Sequence, residues 1–286
     1  MSAAAPTCWV AVDSDGCVLD AMTPKHRDAF VPALIEVWRL APVAAEARAL
    51  FLELNLHSPL RGVNRFVALG AFWRALPARI TPDRWVQAAT PLDRYFAWLD
   101  SGAPLTEHSL AATLARAPHD AALERALAWS HLVNIRCARL PRSLPFPGAA
   151  EAMRSLQGRA AVAVLSSGNG DTIRREWSAA GLTPLVSEFF TQEAGDKPEM
   201  LGRLVENTGD AARVLMIGDS PVDEEAARRA GARFFPIIPG AEADSWRALR
   251  DVVLDGFLNG AYDADEAAPY LARFHAVLQS PAIAAI

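Results

Sequence analysis

The chain has 286 residues, 51% of them apolar, and a formal net charge of −5. That length holds one large or two moderate domains, with a core that needs neither disulfides nor a structural metal. The acidic balance without a Lys/Arg-rich run argues against a nucleic-acid-binding protein, and no apolar stretch approaches the length that spans a bilayer.

The first element is an apolar run that ends in Asp13-Ser14-Asp15-Gly16. Positions i and i+2 of an extended chain point the same way, so Asp13 and Asp15 project together from the end of a buried strand. Two adjacent carboxylates repel unless a cation or a shared proton relieves them. The pair is therefore a candidate divalent-metal site, a general acid/base pair or both, set against an ordinary polar turn.

Residues 21 to about 144 read as helical, with no strand-like alternation. Phe30, Leu34, Val37 and Trp38 follow helical spacing, as do Ala47, Leu50, Phe51 and Leu54. Trp85, Leu92, Tyr95, Phe96 and Leu99 suggest a further face, and Leu123, Leu127, His131 and Leu132 a long helix over 120–139. The tryptophans here are expected in the core. One segment differs from its neighbours: Asn55, His57, Ser58, Arg61, Asn64 and Arg65 crowd around Pro59 and Gly62. Pro and Gly make it a loop, and Arg suits phosphate or carboxylate recognition, whereas a solvated connector has the same polarity. Lys25 and His26, just after the first motif, form a second polar candidate.

A second apolar run, Ala161–Leu165, ends in Ser166-Ser167-Gly168-Asn169-Gly170 before a helix. Free N–H groups at such a turn can cradle an anion. Asp196-Lys197-Pro198 then opens another helix, with Pro198 suited to its first turn. A third run, Val214–Ile217, ends in Gly218-Asp219, and Asp223 falls in the first turn of the following helix, where an acid also suits the helix dipole. Strands near 8–13, 161–165, 214–217 and 233–238 thus alternate with helices near 148–157, 171–180, 198–207 and 221–230. That pattern predicts a parallel sheet covered on both faces, with active residues at the carboxyl ends of its strands. After Pro239 the chain is acidic and helical, over Ala243–Leu254 and Asp265–Leu278. This tail could pack on the core, cover the site or form a subunit contact.

In order, these elements resemble the haloacid dehalogenase (HAD) superfamily, in particular its capped phosphatase branch. The family pattern is a strand with D-x-D, a strand ending in Ser or Thr, a Lys commonly followed by Pro, and a strand ending in G-D-x-x-x-D. Here these read as Asp13/Asp15, Ser166, Lys197 and Asp219/Asp223. The match covers roughly Cys8–Asp20 and Phe146–Ile238. Cys17 departs from the family's usual Thr or Val at a position that mainly packs. The resemblance implies an α/β fold, a Rossmann-like parallel sheet with helices on both faces and an inserted all-helical cap. Residues 1–20 and 145–286 would form the catalytic core and 21–144 the cap.

The resemblance further implies a Mg²⁺-dependent phosphatase of a small phosphorylated metabolite. Asp13 would be the nucleophile, giving an aspartyl-phosphate, and Asp15 the general acid and then base. Mg²⁺ would be held by Asp13, the backbone carbonyl of Asp15 and Asp219. Ser166, Ser167, Gly168 and Lys197 would bind the phosphate, with Asp223 in support. A cap loop selects the substrate in capped members, which points to Asn55, Ser58, Arg61, Asn64 and Arg65, with Lys25 and His26 as further candidates. Asp15 argues against the metal-free dehalogenases, and a cap whose one lysine is Lys25 argues against the phosphonate-cleaving members. A phosphomutase and a catalytically silent binding module stay open, as does the oligomeric state. Cys8, Cys17 and Cys137 lack C-x-x-C spacing, which argues against disulfides and zinc clusters. Without a Lys/Arg-rich run or a bilayer-length apolar run, neither nucleic acid nor membrane is an expected partner, and with no basic region followed by an apolar signal core at the start the cytoplasm is the expected compartment.

Overall fold

The computed structural model describes residues 7–81, 83–84 and 90–279. Trp85, read above as part of a helical face, lies outside them. The chain divides into two compact units: one takes in the residues up to Met22 together with Arg142–Leu278, the other Thr23–Pro141.

The first unit is built on five parallel strands: β1 (Trp9–Val12), β2 (Ala161–Leu165), β3 (Glu188–Phe190), β4 (Val214–Gly218) and β5 (Arg233–Pro236). Their order is β3-β2-β1-β4-β5. Side chains alternate across the sheet and both faces are apolar, as a parallel sheet requires. Val10, Val12, Val164, Leu215 and Ile217 pack on one face, with Met153, Ile173, Trp177 and Trp246 from helices. Trp9, Ala11, Ala163, Leu165 and Met216 pack on the other, with Met200, Leu204 and Ala227.

β1 lies between β2 and β4, with Val12 opposite Val164 and Ile217. That register brings Asp13, Ser166 and Asp219, each the residue after its strand, to the same carboxyl edge. The tail packs within this unit. Phe274, on the helix Ala264–Val277, meets Phe234 of β5 edge-on at 6.1 Å, and the Tyr262 hydroxyl donates to the Phe234 carbonyl at 2.9 Å.

The described residues of the second unit form helices and turns. Its core gathers Trp38, Phe51, Phe66, Phe72, Trp73, Tyr95, Trp98 and Trp129, all buried. The long helix over 120–139 is Ala121–Cys137, capped by the Asp120 carboxylate on the amides of Ala122 and Leu123. Among the described residues no helix is long and apolar enough to cross a membrane.

Candidate active site

Four side chains converge at the carboxyl edge of β1 and β4. Lys197 opens the helix Lys197–Thr208, whose start is fixed by reciprocal bonds between Asp196 and Glu199. Its ammonium reaches Asp13 Oδ1 at 2.8 Å and Asp223 Oδ1 at 2.5 Å. Asp223 sits in the first turn of the helix Pro221–Ala230, and its Oδ2 accepts from the Ser220 amide at 3.1 Å and the Ser220 hydroxyl at 2.6 Å. Both oxygens of Asp223 are thus used, one to hold the lysine and one to cap the helix. Gly218 permits this close approach, because a Cβ there would run into the Asp223 carboxylate.

Carboxylate oxygens of Asp13, Asp219 and Asp223 lie within 4.8 Å of one another, and all three residues are buried. Asp15 is not in that group; it is half-buried. Asp13, Asp219 and Asp223 meet the Lys197 ammonium in a site from which water is largely excluded. Burial pushes the Asp13 carboxyl well above its ordinary range; Lys197 counteracts this, and Asp223 and Asp219 add to it. Burial works against the charge on Lys197, but Asp13 and Asp223 outweigh it and hold the ammonium protonated. Buried carboxylate oxygens this close together are hard donors that fit a divalent cation such as Mg²⁺.

Ser166, after β2, is nearly buried and its Oγ accepts from the Gly168 amide at 3.1 Å. That leaves the Ser166 hydroxyl hydrogen able to donate, while the Gly168 N–H is engaged inside the turn. Ser167 is exposed. Sequence reading did not anticipate Glu193. Its carboxylate takes the Gly170 amide at 3.3 Å, the Asn169 side chain at 3.3 Å and the Thr191 hydroxyl at 2.5 Å. An anion from the chain itself therefore occupies the start of the helix Gly170–Ala179. The Thr191 hydroxyl first, then main-chain amides, pull the Glu193 pKa down to about 2.

Several side chains of the donor-rich loop bond within the helical unit. Asn55 donates to the Phe51 carbonyl at 2.8 Å and Ser58 to the Leu54 carbonyl at 2.5 Å. Asn64 caps the helix Arg65–Ala75 on the Phe66 amide and donates to the Leu105 carbonyl at 2.9 Å. Arg65 binds Asn134 Oδ1 at 2.7 Å and Ser130 Oγ at 3.1 Å, with its guanidinium 5.4 Å from the Phe30 ring centre. Arg61 is almost wholly buried and donates to the Leu56 carbonyl at 3.1 Å. His26 is buried and stacks on Phe30, their centroids 4.6 Å apart, and Lys25 is half-buried at the end of the turn before it.

The family model for haloacid dehalogenase-like hydrolases matches residues 9–231, which takes in Asp13, Ser166, Lys197, Asp219 and Asp223. The chain belongs to this family. It is a HAD-like hydrolase, and the five-stranded parallel sheet with its helices is a Rossmann-like HAD fold. No curated protein matches the chain. Among solved structures, it is similar to a predicted phosphoglycolate phosphatase from Haemophilus somnus, with 15% identity, 82% of this chain and 90% of that one covered, and a TM-score of 0.49. A haloacid dehalogenase-like family protein from Streptococcus pneumoniae shows 14% identity, coverage of 84% and 90%, and a TM-score of 0.45. A HAD-superfamily hydrolase of subfamily IA from Geobacter sulfurreducens shows 19% identity, coverage of 82% and 90%, and a TM-score of 0.40. Likeness at this level transfers no activity.

Proposed function

We propose that this HAD-like hydrolase is a Mg²⁺-dependent phosphatase that cleaves a small phosphorylated metabolite through an aspartyl-phosphate on Asp13. The observation that carries the reading is the buried Lys197 ammonium, bonded at once to Asp13 and Asp223 with Asp219 beside them. A cation bonded to a carboxylate at a strand end suits an anionic substrate attacked by that carboxylate. It holds Asp13 in place and offsets charge on the transferred phosphoryl group.

Asp13, Asp219 and the main-chain carbonyl of Asp15 would hold Mg²⁺, which when bound supplies further charge compensation between the nucleophile and the phosphoryl oxygens. The remaining roles belong to the chain. Asp13 attacks phosphorus. Asp15 gives its proton to the leaving oxygen, then takes one from the water that attacks the phosphoenzyme. Ser166 donates its hydroxyl to a phosphoryl oxygen. Asp223 keeps Lys197 aimed at Asp13, and Ser220 keeps Asp223 in place. The sheet-bearing unit would be the catalytic core and the helical unit the substrate-selecting cap, with Arg61 and Arg65 as its cationic candidates.

The test is hydrolysis of a small aryl phosphate by the purified protein with Mg²⁺. Activity should vanish in EDTA and in Asp13→Asn, whose fold should persist. Undiminished turnover in Asp13→Asn would sink the nucleophile assignment, and undiminished turnover in EDTA the metal assignment. Phosphoryl transfer to a second sugar-phosphate hydroxyl in place of water would make the protein a mutase.

A further inference from the structure

The turn after Asp13 carries Asp15 and closes on itself. The Ser14 carbonyl accepts from the amides of Val18 at 3.1 Å and Leu19 at 2.9 Å, and the Gly16 amide donates to the Leu19 carbonyl at 2.8 Å. Gly16 has φ +85°, which a side chain would disfavour. Two long-range contacts grip this turn. The Trp177 indole donates to Ser14 Oγ at 2.9 Å, and the Trp246 indole donates to the Cys17 carbonyl at 2.9 Å. Both tryptophans and both acceptor residues are buried. An indole N–H only donates, and a buried one without an acceptor is costly, so each contact fixes both partners.

The donors come from distant parts of the chain. Trp177 lies on the helix Gly170–Ala179 and meets Phe189 edge-on, their centroids 5.8 Å apart. Trp246 lies on the helix Glu242–Ala248, beyond the residues that the family model matches. One grips the residue between the two aspartates, the other the residue two places after Asp15.

We propose that Trp177 and Trp246 are positioning residues: they hold the Ser14–Cys17 turn so that Asp15, carboxylate and main-chain carbonyl alike, keeps its place beside Asp13. The C-terminal segment thereby gains a part in the reaction. Misplacement of a reacting group by about 1 Å can cost on the order of a hundredfold in rate, so a turn held at both ends matters to turnover. The kinetic part of this inference rests on the phosphatase reading; the structural part does not.

The variants are Trp177→Phe and Trp246→Phe, which keep an aromatic ring and remove the donor, and Ser14→Ala, which removes the first acceptor. Ser14→Ala is the smallest change and serves if Trp177→Phe fails to fold. Amide hydrogen exchange, followed by mass spectrometry, should quicken about tenfold over residues 14–20, the size of one lost hydrogen bond, and stay unchanged over 214–218. With Mg²⁺ and a small aryl phosphate, kcat should fall by about tenfold while KM holds within about twofold, as for an interaction made only in the transition state. The Ser14→Ala/Trp177→Phe double variant should be no slower than Trp177→Phe, because the contact is already gone. Exchange that quickens evenly across the sheet, parental exchange over 14–20, or a parental kcat in all variants would overturn the proposal. If the parent hydrolyses no phosphate ester, the phosphatase reading fails, and the exchange pattern alone decides whether the indoles hold the turn.

Discussion

Lys197→Met removes the ammonium bonded to the buried Asp13 and Asp223 carboxylates and keeps most of the side chain's bulk. Nζ is bonded to Asp13 at 2.8 Å and to Asp223 at 2.5 Å, and Lys197 is 7% exposed. Without it Asp13 and Asp223 lose the ammonium bonded to both. Breaking a buried pair by removing one partner costs about 3–5 kcal/mol. At about 2–4 °C per kcal/mol for a domain of this size, the melting temperature should fall by about 6–20 °C in EDTA. Burial and the neighbouring carboxylates already push Asp13 toward its protonated form, so proton uptake by Asp13 should bring the loss toward the lower end. The assay is thermal unfolding followed by near-ultraviolet circular dichroism, with EDTA and with Mg²⁺. A divalent ion would replace part of the missing charge, so Mg²⁺ should raise the variant's melting temperature more than the parent's. A variant as stable as the parent in EDTA would refute the view of Lys197 as the counter-ion of this cluster.

Asp15→Asn should turn over very slowly and should form phosphoenzyme more readily from an aryl than from an alkyl ester, because a good leaving group needs less acid assistance; rapid quench with both esters checks this, and equal impairment would count against an acid role. Glu193→Gln should be less stable than the parent at neutral pH by no more than about 1 kcal/mol, since the group is exposed. The Glu193 pKa is depressed in the fold, so its contribution is present above the usual value of 4.5 and is lost as pH falls toward about 2. The gap between parent and variant in urea unfolding should close over that window. Arg61→Ala should raise KM for the true substrate roughly ten- to a hundredfold over that for a small aryl phosphate, the worth of a charge-assisted hydrogen bond of about 1.5–3 kcal/mol. A uniform loss across substrates would place Arg61 in the fold of the helical unit.

Much of the sheet was legible because its strands are continuous apolar runs that end in Asp, Ser or Gly. β1, β2, β4 and β5 fall within or beside the stretches read as strands. β3 was not foreseen: Glu188-Phe189-Phe190 is too short for a periodicity to stand out. That Asp13, Lys197, Asp219 and Asp223 meet was legible from strand-end positions and motif order. The bonding partners of the 55–65 loop were not legible. Asn55, Ser58 and Asn64 cap or bond main chain nearby, the ordinary work of short polar side chains, and a sequence shows the donors without their acceptors. The indole contacts to Ser14 and Cys17 span 163 and 229 residues, so no local pattern signals them.

The central claim is that Asp13 receives a phosphoryl group. Asp15→Asn, mixed with Mg²⁺ and a small aryl phosphate and quenched in acid within one turnover, can be digested and read by mass spectrometry. The peptide that spans Asp13 should carry one phosphoryl group on that residue, absent in Asp13→Asn and absent when EDTA replaces Mg²⁺. Turnover by the parent with no phosphoryl group on Asp13 in any quenched sample, or with the group on another side chain, would contradict the account.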